Sequence, residues 1–118
     1  MKIGLNSFLE IRLRGKEKFL SVKGSLKFPL KDIVSVSTAT PQSSWKEIRA
    51  PGSFIPGLIK AGTYYTDRGK EFWYTTRGKK LLTIELQGQS YKRVVVGLDN
   101  PEQWKKRLNS RLNKLLNP

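Results

Sequence analysis

Residues 81–116 read LLTIELQGQSYKRVVVGLDNPEQWKKRLNSRLNKLL, and this stretch decides the fold. Leu82, Ile84 and Leu86 alternate with Thr83, Glu85 and Gln87, the two-residue period of a strand with one buried face. Gly88-Gln89-Ser90 supplies a turn, and Tyr91 to Leu98 reads as a second strand. The period then changes. Asp99 or Asn100 can cap a helix, Pro101 suits the first helical position, and Glu102 complements the positive end of the dipole. Trp104, Leu108, Leu112, Leu115 and Leu116 recur at three- and four-residue spacing, so they form one apolar stripe. A stripe of this kind must be buried, and the face or open end of the preceding sheet is the place for it.

Towards the N-terminus the chain continues as short strands and turns. Leu9, Ile11 and Leu13 alternate with Glu10, Arg12 and Arg14, which predicts a strand near 8–13 ended by Gly15. Residues 16–22 fit either a strand or a helical turn. Lys27-Phe28 reads as a short strand stopped by Pro29, and Ile33 to Thr40 as a clear one. Trp45 to Ile48 is a further short candidate. Arg49 to Gly57, RAPGSFIPG, reads as a loop, because two prolines and two glycines leave little room for a ladder. Strands at 58–66, with Gly62 marking a bulge or close approach, and at 71–76 follow, with turns at 67–70 and 77–80. The expected class is all-β with one C-terminal helix, as a single domain over residues 1–118.

The pieces Arg49-Ala50-Pro51-Gly52, Ile55-Pro56-Gly57-Leu58-Ile59, Ala61-Gly62-Thr63-Tyr64 and Phe72-Trp73 together resemble short bacterial pleckstrin-homology-like proteins. Phe28-Pro29-Leu30, Ile33-Val34-Ser35-Val36, Leu82 to Leu86, Tyr91 to Val96 and Asp99-Asn100-Pro101 fit the same pattern, so the resemblance spans residues 26–108. It implies an antiparallel barrel or sandwich of about seven strands capped by the helix. It implies no chemistry. Tyr74-Thr75 stand where an acidic residue is expected after Phe72-Trp73, which puts a carboxylate role there in doubt.

Charge is the strongest compositional signal. Lys and Arg number 23 against 9 Asp and Glu, for a net charge of +14. Such a field attracts anionic partners: nucleic acid, acidic lipid or acidic protein. The chain has no His and no Cys, and its nine carboxylates are scattered, so we expect no metal, no cofactor and no enzymatic activity. No apolar run is long enough for a signal peptide or a membrane span, and the cytoplasm is the expected location.

Three groups are candidate contacts. The resemblance to eukaryotic pleckstrin-homology domains, whose first hairpin meets inositol phosphates, points to Arg12, Arg14, Lys16 and Lys18. On the helix, Arg107, Arg111 and Lys114 fall within about 60° of arc beside the apolar stripe, at 100° per residue. That edge either meets an anionic partner or is only solvated. Phe54 and Ile55 in the 49–57 segment either contact a partner or second subunit, or plug the barrel. The expected function is therefore binding, of a protein or an anionic membrane surface. The alternative is single-stranded nucleic acid stacked on aromatics among Tyr64, Tyr65, Trp73, Tyr74 and Tyr91, which requires Tyr64, Trp73 and Tyr91 to share one exposed face.

Overall fold

A computed structural model describes residues 1–39, 47–55 and 58–116, with the side chains of 19–20, 47–55 and 116 outside the description. The chain is mostly β, with one long C-terminal helix. Among the described residues nine strands form two sheets. The smaller sheet is β1 (Lys2–Leu5), β2 (Phe8–Arg12) and β3 (Ser25–Pro29), in that order and antiparallel. The larger contains β4 (Ile33–Ser37), β5 (Glu47–Ile55), β6 (Ile59–Thr66), β7 (Gly69–Thr76), β8 (Lys80–Leu86) and β9 (Tyr91–Leu98), in the order β4-β8-β9-β7-β6-β5. A short helix α1 (Lys16–Ser21) lies in the β2–β3 connection, and α2 (Pro101–Leu116) ends the fold.

The two-residue alternation does what it predicts. Leu9 and Ile11 of β2, Leu26 and Phe28 of β3, and Leu82, Ile84 and Leu86 of β8 share one core with Phe72, Tyr74, Val94 and Val96. The helix stripe joins that core through Leu108, which is 1% exposed, while Trp104 and Leu112 pack half-buried beside it. The two sheets leave an open side, and α2 lies across it. At its first turn Glu102 accepts a hydrogen bond from Thr38 Oγ1, just beyond edge strand β4. Towards its end Arg111 donates to the Leu5 carbonyl of edge strand β1 at 3.2 Å.

Four expectations need correction. The sheets do not close into a barrel, since the larger one ends on β4 and β5. The expected antiparallel pairing of successive strands fails once, because β9 inserts between β7 and β8 and pairs with β7 in parallel. Three residues, 77–79, carry the chain across the end of β9, spanning two strand spacings of about 10 Å in all. The 49–57 segment is no loop over most of its length: residues 49–55 belong to β5. Pro51 is tolerated because β5 is an edge strand, with a register shift between Arg49 and Gly52. Gly52 stands opposite Gly62, whose φ of 129° favours glycine, so the irregularity read at Gly62 is real. Finally, the described residues hold nine strands against the expected seven or so, and one of them is β1, where residues 2–5 offer too few alternating positions to predict a strand.

Replacing Leu108 by Ala should destabilise the protein by about 2–5 kcal/mol, because it opens a cavity where helix and sheets meet. Urea unfolding followed by tryptophan fluorescence measures this; an unchanged midpoint would mean that α2 does not close the core.

Candidate functional site

The alternation that points Phe72 and Tyr74 into the core points Glu71 and Trp73 to the other face of the large sheet. Glu71 is 1% exposed there. Its Oε1 accepts from Arg93 Nη2 at 2.9 Å and from Trp73 Nε1 at 3.0 Å, while its Oε2 lies 3.5 Å from Arg68 Nε. Glu71 and Arg93 are direct partners in the parallel β7–β9 register. The Lys60 ammonium sits 3.8 Å from the Trp73 ring centroid and 4.5 Å from that of Tyr64. This cluster is a buried, hydrogen-bonded network on the second face of the large sheet. Period two places Glu71 beside Trp73, but nothing in the sequence announces Arg93 as the partner, since the parallel pairing is invisible there.

The four cations expected at a first hairpin do not converge. Arg12 ends β2, exposed, with Nε 2.9 Å from Glu10 Oε1. Arg14 lies in the following connection, and Lys16 and Lys18 stand exposed on α1, so helix α1 replaces the tight turn of a hairpin. Lys16 borders a cavity of about 350 Å³ together with Glu17, Tyr74 and Asp99. Carboxylates in that lining oppose an anion. Burial, and then the Glu17 carboxylate, raise the Tyr74 phenol above its ordinary value of 10.0.

The helix edge is different. Arg107, Arg111 and Lys114 line one shallow cavity of about 480 Å³ with Leu5, Lys106 and Ser110, and no carboxylate is in that lining. Two of the cations are held in place. The Arg107 guanidinium lies 4.1 Å from the Trp104 ring centroid, and Arg111 is fixed by the Leu5 carbonyl. Lys106 extends the group. Lys106, Ser110 and Lys114 follow an i, i+4, i+8 spacing, a signal present in the sequence and overlooked.

Phe54 and Ile55 pair through their backbones with Lys60 and Ile59, and their side chains lie outside the described residues. The rings needed for base stacking are buried: Tyr64, Trp73 and Tyr91 all belong to the interior, and only Tyr65, 50% exposed, remains open among the described tyrosines. Among the described residues, no helix is long and apolar enough to cross a membrane, and no three metal-ligating side chains gather. No family model, no curated protein and no solved structure matches the chain.

Two outcomes follow. Glu71→Gln should cost about 3–5 kcal/mol, because it strands the buried Arg93 charge, whereas Glu71→Leu with Arg93→Met should recover most of that loss. Chemical denaturation of the set decides; equal losses in both would show that packing, not charge, sets the cost. For Tyr74, the raised folded value means that the unfolded chain loses its proton first as pH rises. Stability should therefore fall above pH 10, and Tyr74→Phe should flatten that decline in thermal melts. An identical slope would exclude Tyr74 as its source.

Proposed function

We propose that this chain is a non-catalytic binding module that meets an anionic surface along the α2 edge. The observation that carries the reading is the cavity lined by Lys106, Arg107, Arg111 and Lys114 without an opposing carboxylate. Like charges gathered on one edge repel, and an anionic partner relieves that repulsion. The net charge of +14 brings such a partner in from a distance. The pleckstrin-homology-like resemblance enters this reading at the level of two sheets closed by a C-terminal helix; the parallel pair and the open edges depart from it. The lack of cysteine fits a reducing compartment, and the cytoplasm is the one assigned here. Burial of Tyr64, Trp73 and Tyr91 weighs against single-stranded nucleic acid, which needs stacking platforms.

The test uses vesicles containing phosphatidylglycerol, and duplex DNA, across a salt series. The informative variant is Lys106→Ser with Lys114→Ser, which leaves the Arg107–Trp104 and Arg111–Leu5 contacts intact. Each cation at an acidic membrane contributes about 1 kcal/mol, so vesicle affinity should fall about thirtyfold. A loss on DNA alone, with a salt slope flatter by about 0.9 for each phosphate contact removed, would replace the membrane by duplex. Unchanged affinity and slope on both would overturn the reading.

A further inference from the structure

Arg111 and Lys114 face two cavities. On their other side, with Asn6, Phe8, Leu30 and Leu115, they line a trough of about 500 Å³ between the β1–β2 turn and the last turn of α2. Its character is mixed. Phe8, 39% exposed, enters from β2, and Leu115, 53% exposed, from α2, while buried Leu30 forms the floor. Exposed Lys31 and Lys114 stand at its rim, Lys27 Nζ lies 4.6 Å from the Phe8 ring centroid, and no carboxylate is in the lining. Large apolar side chains left in water at the mouth of a concave site, ringed by cations, have the anatomy of an interface core with a charged rim.

We infer that this trough is the docking site for an acidic peptide segment of a partner protein, which seats one or two large apolar side chains between Phe8 and Leu115 and sets carboxylates against Lys31, Arg111 and Lys114. Charge complementarity selects the occupant. A second copy of this chain carries the same +14 and the same cationic rim, so it is repelled. A flat bilayer touches the rim and leaves the Leu30 floor unfilled. A peptide enters between the walls and buries both apolar side chains. The inference shares Arg111 and Lys114 with the anionic-surface reading, but its apolar half owes nothing to Lys106 or Arg107.

The test is fluorescence anisotropy with labelled Glu-rich peptides carrying two Leu at graded spacings, beside the same peptides with Ser for Leu. Phosphatidylglycerol vesicles and sedimentation of the protein alone complete the set. At least one spacing should bind about tenfold tighter than its Ser control, the return expected for burying a Leu. Leu115→Ser and Phe8→Ser should each abolish that difference, and Leu115→Ser should do so with little change in melting temperature, since that side chain is more than half exposed. Lys106→Ser with Arg107→Ser should leave the ratio of Leu to Ser peptide unchanged; failure of the anionic edge alone would show there as unaltered vesicle binding. The inference is overturned if no spacing beats its Ser control, or if Leu115→Ser keeps the advantage. It is equally overturned if Leu115→Ser weakens only vesicle binding or only self-association.

Discussion

The burial of Leu108 is the contact on which the architecture rests. Two sheets, one of three strands and one of six, enclose an apolar layer but leave a side open to water. Neither sheet can close it, because their edges belong to different hydrogen-bonding ladders. Helix α2 closes it with a stripe of apolar side chains and is fastened to both edges, through Thr38 at one end and Leu5 at the other. The second fastening also occupies a backbone carbonyl on edge strand β1, one of the groups that otherwise templates pairing with another chain.

The same helix therefore has two faces with separate duties. Its apolar face builds the core, and its basic edge is presented outward because the inner face is already committed. Arg107 and Arg111 each divide their work between the two, one lying on Trp104 and the other bonded to β1. Rigid cations lose less side-chain freedom on meeting a partner than freely rotating ones do. The buried Glu71–Arg93 pair has a different duty. Its members are opposite residues in the parallel β7–β9 register, so a one-residue slip would swing Arg93 into the apolar core.

Much of this was legible in the chain itself. The change of period at Asp99-Asn100-Pro101 located α2, and the alternation in 81–86 located β8 with the correct inward face. The helix cations could be placed together because one local repeat, 3.6 residues per turn, fixes their angles. What stayed hidden was non-local. The insertion of β9 between β7 and β8, and hence the partnership of Glu71 with Arg93, depends on which strands meet, and alternation carries no such information. The 49–55 segment misled because Pro and Gly were read as loop punctuation, when an edge strand with a bulge tolerates both. The trough at Phe8 and Leu115 joins residues more than a hundred positions apart, which only tertiary packing brings together.

The position of β9 has a consequence for how the molecule assembles. The strand at the middle of the large sheet is the last one in sequence, so during synthesis its two neighbours exist before it does. Without residues 91–98, β4 and β8 belong to one ladder and β5, β6 and β7 to another, linked only by the three-residue connection 77–79. Each ends on an unsatisfied inner edge, flanked by Phe72 and Tyr74 on one side and Leu82 and Ile84 on the other. Both ladders that join the halves of the large sheet run through β9, so that sheet can be completed only after its last strand has been made.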